Sequence, residues 1–241
     1  MRKEKPQGEV IVSKNPELSD QLILYIPGIG VKTQDLERNI RLFQEGGEDL
    51  KVLDFDLFLK KEGVNSQKVF DEINSIVPEG KKIDYLIGYS LGGGVALDYV
   101  NNYPDKVQNL VLIDPYVFKS NNYGSLFFRR VMDAFLFQKS EGSKIKNIFG
   151  FFFKYSRRIS FMLKEIRLIN QFKLFDSQNK IENKTYFLWG KEDKTCPMEN
   201  YELISDNFSN KIFIEIPNND HDWNSDLALF GKYIERTGIF K

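Results

Sequence analysis

The sequence predicts an α/β protein: a mostly parallel sheet with helices on both faces. Three observations predict it. Short apolar runs alternate with longer segments of helical period along most of the 241 residues, the pattern of successive βαβ units. The runs Leu22-Ile-Leu-Tyr-Ile26, Tyr85-Leu-Ile-Gly88 and Leu110-Val-Leu-Ile113 are continuously apolar, as strands buried on both faces require. Hydrophobic residues make up 41% of the chain, enough for one large core and too many for a disordered protein.

The elements follow in order. Glu9–Ser13 is a candidate first strand, and Gln21–Ile26 a stronger one that stops at Pro27-Gly28. Thr33–Glu45 carries Leu36, Ile40 and Phe43 at spacings of four and three, a helical stripe ended by Gly46-Gly47. Leu50–Phe55 is strand-like. Val69, Ile73, Ile76 and Val77 mark a second helix, closed by Pro78 and Gly80. Ile83–Gly88 is a strand, Leu91–Tyr103 a helix stopped by Pro104, and Asn109–Ile113 a strand ending at Asp114-Pro115. Thr185–Trp189 and Ile212–Ile216 are two further strands, and Asp222–Arg236 is the last helix.

Residues 116–180 break this rhythm. They hold no clear strand and contain 12 of the 21 Phe, with 13 Lys/Arg against 4 Asp/Glu. A basic, Phe-rich, helical insert therefore divides a core made of residues 1–115 and 181–241, and the rest of the chain carries the balancing negative charge. Overall, 34 Lys and Arg face 34 Asp and Glu, which argues against a protein built to coat nucleic acid. One cysteine, Cys196, and one histidine, His221, exclude an internal disulfide framework and any metal site that needs two histidines or several thiolates. No segment reads as a signal peptide and no window of about 18 residues is apolar throughout, so a cytoplasmic location is expected.

The chemistry concentrates at Gly88-Tyr89-Ser90-Leu91-Gly92, a Gly-x-Ser-x-Gly pattern between a predicted strand and a predicted helix. From average composition the bare pattern arises in roughly one chain in fourteen of this length, so its strand-turn-helix setting carries the inference. The turn exposes a serine Oγ above the sheet edge and at a helix N-terminus, where free N–H groups favour negative charge. Serine needs a base, and His221, just after the last strand, is the one imidazole in the chain. An acid must orient that ring. Asp193, in Gly190-Lys-Glu-Asp193, also follows a strand, so all three residues fall on the carboxyl edge where open α/β sheets gather their reactive groups.

With Ser90, Asp193 and His221 in that order, the sequence resembles the lid-bearing serine esterases and lipases of the α/β-hydrolase superfamily over about residues 20–240. The resemblance implies an α/β-hydrolase fold, with residues 116–180 in the slot where the family places its lid. It implies Ser90 as nucleophile, His221 as base and Asp193 as acid, with no metal or organic cofactor. Where the family often carries His-Gly, this chain has Pro27-Gly28-Ile29-Gly30. The oxyanion hole is assigned to the backbone N–H groups of Ile29 and Leu91, and Gly28, Tyr89, Phe151 and Phe152 are the expected substrate contacts. Asp114 is the competing acid, since some members place it there; Glu192 is a weaker alternative, and Asp220 and Asp222 are expected to cap the final helix. Cys196 is expected to be a buried small residue. A serine at position 90 sets the chain apart from branches with an aspartate nucleophile, the haloalkane dehalogenases and epoxide hydrolases.

The activity expected is hydrolysis of an ester or thioester with an apolar acyl group. A C–C bond hydrolase or an acyltransferase on the same triad, and a non-catalytic binding protein with the lid cavity as receptor pocket, are the alternatives. The partners expected are a small apolar substrate and, through the basic lid, an anionic membrane surface, with no nucleic acid.

Overall fold

The computed structural model describes residues 21–28, 49–53, 65–117, 180–219, 221 and 239. Six strands are laid out there: β1 (Leu22–Ile26), β2 (Asp49–Val52), β3 (Ile83–Tyr89), β4 (Val107–Ile113), β5 (Lys184–Gly190) and β6 (Lys211–Ile216). They form one sheet in the order β2-β1-β3-β4-β5-β6, and every pair is parallel. The fold class predicted from the apolar runs is the one observed. The order reverses at β1, which pairs with β2 on one side and β3 on the other. In an open parallel sheet, the crevice beyond the carboxyl ends at such a reversal is where ligands bind.

Both faces of the sheet are buried, as the unbroken apolar runs require. Leu24, Ile26, Leu86, Leu110, Leu112, Phe187 and Trp189 face one core; Ile23, Tyr25, Ile87, Val111, Ile113 and Leu188 face the other. Helices α1 (Ser66–Ile76) and α2 (Leu91–Asn102) cover the first face. Asn65 starts α1: its side-chain oxygen accepts from the Lys68 N–H at 2.9 Å, satisfying one of the donors a helix start leaves open. Val69, Phe70, Ile73 and Ile76 are its buried stripe, and Pro78 prevents its continuation. Leu91 to Val100 of α2 are all buried, so this helix lies inside the protein.

The differences from the predicted elements have local causes. β4 begins at Val107, two residues before the predicted start at Asn109, because the polar, exposed Gln108 separates Val107 from the apolar run. Val107 is buried, and the Asn109 amide donates to the Asp84 carbonyl at 2.9 Å. A 3-10 turn, Pro104–Lys106, separates α2 from β4. Helix α3 (Glu199–Ser205) was not expected. Its signals are short: Pro197 just before it, and Tyr201 and Ile204 three apart. β6 is the partly exposed edge among the described strands. The predicted strand Glu9–Ser13, the helices Thr33–Glu45 and Asp222–Arg236, and insert residues 118–179 lie outside the described residues. No helix among the described residues is long and apolar enough to cross a membrane.

The core is aromatic around β5. Phe187 is fully buried and meets Tyr201 and Phe208 edge-on, with ring centroids 5.1 and 4.9 Å apart. Phe187→Ala should therefore lower the unfolding free energy by about 3–5 kcal/mol, read as a shift of the urea midpoint.

Candidate active site

The site is built from the carboxyl ends of five neighbouring strands. Gly28 lies just past β1, Ser90 follows β3, Asp114 follows β4, Asp193 lies three residues past β5 and His221 five past β6.

Ser90 occupies the sharp turn between β3 and α2. Its φ of 52° and ψ of −118° put a non-glycine residue in a left-handed conformation that costs on the order of 1–3 kcal/mol. The surroundings hold it there. The Ser90 N–H donates to the Ile113 carbonyl at 2.9 Å, and the Ser90 carbonyl accepts from Gly93 N at 3.0 Å and Tyr116 N at 2.8 Å. Close approach explains the flanking glycines. A Cβ on Gly88 would come within 2.5 Å of the Gly92 carbonyl oxygen, and one on Gly92 would overlap the carbonyls of Ile26 and Pro27. α2 thus starts in backbone contact with the end of β1. Leu91 is its first residue, so its N–H is among the donors that a helix start leaves without an intrahelical partner.

Asp193 is held by its own turn. Its Oδ1 accepts from the N–H groups of Thr195 and Cys196 at 2.7 and 2.8 Å. Its Oδ2 lies 2.6 Å from His221 Nδ1. The other imidazole nitrogen, Nε2, lies 2.9 Å from Ser90 Oγ. Serine, imidazole and carboxylate thus form one hydrogen-bonded chain, with the Asp193 side chain fully buried and that of His221 21% exposed. The Glu192 N–H donates to the Asn219 carbonyl at 2.9 Å, which ties the turn bearing Asp193 to the loop bearing His221.

Asp114 is also fully buried, but its carboxylate is used differently. Oδ1 accepts from the Gly190 N–H at 2.7 Å, and the Asp114 N–H donates to the Leu188 carbonyl at 3.0 Å. This acid clamps the end of β5, from which the Asp193 turn departs, while the imidazole bonds to Asp193. Glu192 points to solvent. Cys196 is fully buried, as expected. Its sulfur belongs with the Asp193 carboxylate and the His221 ring to a group whose potential ligand atoms lie within 4.8 Å of one another. Both Asp193 oxygens are already bonded, to amides and to the imidazole. Nearby Tyr116 is buried as well; burial, and then the Cys196 thiol, push its phenol above the ordinary range.

Gly28 lies against the turn: a Cβ there would come within 3.0 Å of Ser90 Cβ and of the Tyr89 ring. The Tyr89 hydroxyl donates to the main-chain carbonyl of His221, a contact that sequence reasoning missed. No local pattern signals it, because the two residues are 132 apart in the chain. Ile29, Phe151, Phe152, Asp220 and Asp222 lie outside the described residues.

This geometry can be set beside known proteins. A family model described as alpha/beta hydrolase fold matches residues 78–161, which include Ser90. No curated protein sequence matches the chain significantly. Solved structures match over most of their length. The monoacylglycerol lipase of Paleococcus ferrophilus is 18% identical with a TM-score of 0.54, covering 88% of this chain and 93% of its own. The epoxide hydrolase of Bacillus megaterium is 14% identical with a TM-score of 0.64, covering 97% of each chain. A structure from work on carboxylesterases of the thaumarchaeon Nitrososphaera gargenis is 13% identical with a TM-score of 0.63, covering 91% of this chain and 90% of its own. The chain has the α/β-hydrolase fold.

Asp114→Ala would leave the buried Gly190 N–H without its acceptor. It should cost about 1–3 kcal/mol of stability, measured by chemical unfolding monitored at the fully buried Trp189.

Proposed function

We propose that the protein is a serine hydrolase that cleaves an ester or thioester with an apolar acyl group. The observation that carries this reading is the unbroken Ser90–His221–Asp193 chain, with contacts of 2.9 and 2.6 Å, at the carboxyl edge of an α/β-hydrolase sheet. Ser90 Oγ attacks the carbonyl carbon as its proton passes to His221 Nε2. Asp193 Oδ2 accepts the Nδ1–H and stabilises the imidazolium that forms. The N–H groups of Leu91 and Ile29 receive the oxyanion. The imidazolium then protonates the departing alcohol or thiol, leaving an acyl group on Ser90. Water attacks the acyl-enzyme, giving its proton to His221, and the acid leaves with Ser90 restored. The ester class is favoured by the names of the structural neighbours, which include a monoacylglycerol lipase and carboxylesterases.

The apolar acyl preference and a membrane contact rest on the insert. Its 12 Phe and its 13 Lys/Arg against 4 Asp/Glu suit an aromatic roof over an acyl chain and a basic outer face toward anionic lipid. Phe151 and Phe152 are proposed as substrate contacts within that roof. The protein would then work in the cytoplasm, at the surface of an anionic membrane.

Mass spectrometry after fluorophosphonate treatment tests the nucleophile: one adduct, on Ser90, is expected, and labelling elsewhere or none overturns the reading. His221→Ala should lower kcat by about 10³-fold or more with folding intact, since the chain has one histidine. Asp193→Asn should lose comparably, and more than Asp114→Asn. Co-sedimentation with anionic vesicles should exceed that with zwitterionic ones and weaken with salt; equal binding to both, or to neither, removes the membrane contact.

A further inference from the structure

We propose that Tyr89 is a positioning residue that sets the height of the His221 imidazole over the nucleophile. The inference rests on the hydrolase reading. Tyr89 is the last residue of β3 and directly precedes Ser90. Its side chain is buried, and three contacts define its place. Its ring lies 5.5 Å from the imidazole, centroid to centroid, at an interplanar angle of 32°. The ring edge fills the space beside Gly28, where a Cβ would come within 3.0 Å of Cδ1 and Cε1. Its hydroxyl donates to the His221 carbonyl. The residue next to Ser90 therefore packs against both the loop after β1 and the histidine loop.

The two imidazole contacts, to Ser90 and Asp193, set the orientation of the ring. They act on the side chain, and the backbone that carries it has anchors of its own. His221 is five residues beyond β6, past Asn218 with its φ of 56°. The Glu192–Asn219 bond ties this loop to the acid side, and the Tyr89 hydroxyl ties it to the serine side. Held from both sides, Nε2 stays within reach of Oγ. Released on one side, the ring can drift, and a displacement of about 1 Å can cost up to about 10²-fold in rate. The phenol reaches a main-chain carbonyl, so its contribution to the reaction is indirect.

Tyr89→Phe keeps the ring and its packing and deletes the hydroxyl. In this variant kcat for a p-nitrophenyl ester should fall roughly tenfold, with KM within about twofold and an unchanged urea midpoint. A raised KM at constant kcat would instead make Tyr89 a substrate contact and overturn the assignment. A second readout does not depend on turnover. With one histidine in the chain, the imidazole signals in a ¹H–¹⁵N spectrum belong to His221. The exchange of its Nδ1–H should quicken at least about tenfold in Tyr89→Phe, and more in Tyr89→Leu. Identical exchange in wild type and both variants overturns the positioning role. Failure of the hydrolase reading shows separately, as wild-type protein whose Ser90 gives no fluorophosphonate adduct.

Discussion

The left-handed backbone of Ser90 is the constraint on which the site depends. A serine in that conformation would relax in an isolated peptide, since strain on the order of 1–3 kcal/mol exceeds thermal energy severalfold. Backbone bonds to Ile113, Gly93 and Tyr116 hold it in the protein. The bonds from Ile113 and Tyr116 come from β4 and its exit, so the turn exists only once β3 and β4 are paired. Gly88 and Gly92 let the first turn of α2 sit directly on the ends of β3 and β1. The same approach brings the loop after β1, and with it Gly28, against Ser90.

Two buried carboxylates divide the remaining work. Asp114 spends its oxygen on a backbone N–H within the sheet, and Asp193 spends one oxygen on its own turn and the other on the imidazole. Both follow strand ends, and both are nearly or fully inaccessible to water. What separates them is direction. The Asp114 carboxylate returns to β5, whereas the turn after Gly190 carries Asp193 outward to the loop that β6 delivers. Removing the first acid leaves an orphaned donor in the core; removing the second leaves a ring without orientation.

Much of this was legible in the sequence, for reasons visible in particular residues. The parallel sheet was legible because the strands are apolar without interruption. Ser90 was legible because a strand, a glycine-flanked serine and a helix are a local pattern. His221 was legible because it has no rival. The choice between Asp114 and Asp193 depends on where each carboxylate points, which spacing does not encode. The first two residues of β4 were hidden because the exposed Gln108 separates Val107 from the rest of the strand. Helix α3 was hidden because seven residues hold too few apolar positions to declare a period. The Tyr89–His221 contact joins the third strand to the loop after the sixth, and only the closed sheet brings them together.

The edge position of β6 bears on how the molecule comes apart. Ser90 is anchored in the middle of the sheet, between strands paired on both sides, while the loop bearing His221 follows β6, which among the described strands pairs only with β5. Edge elements with exposed backbone and few buried side chains open at lower free energy than the centre of a fold. The two hydrogen-bonded partners, Ser90 and His221, therefore belong to regions of unequal local stability. By that tendency the loop bearing His221 would open before the Ser90 turn, α2 and the aromatic core around Phe187. On the hydrolase reading, activity would then be lost in milder denaturant than the fold itself.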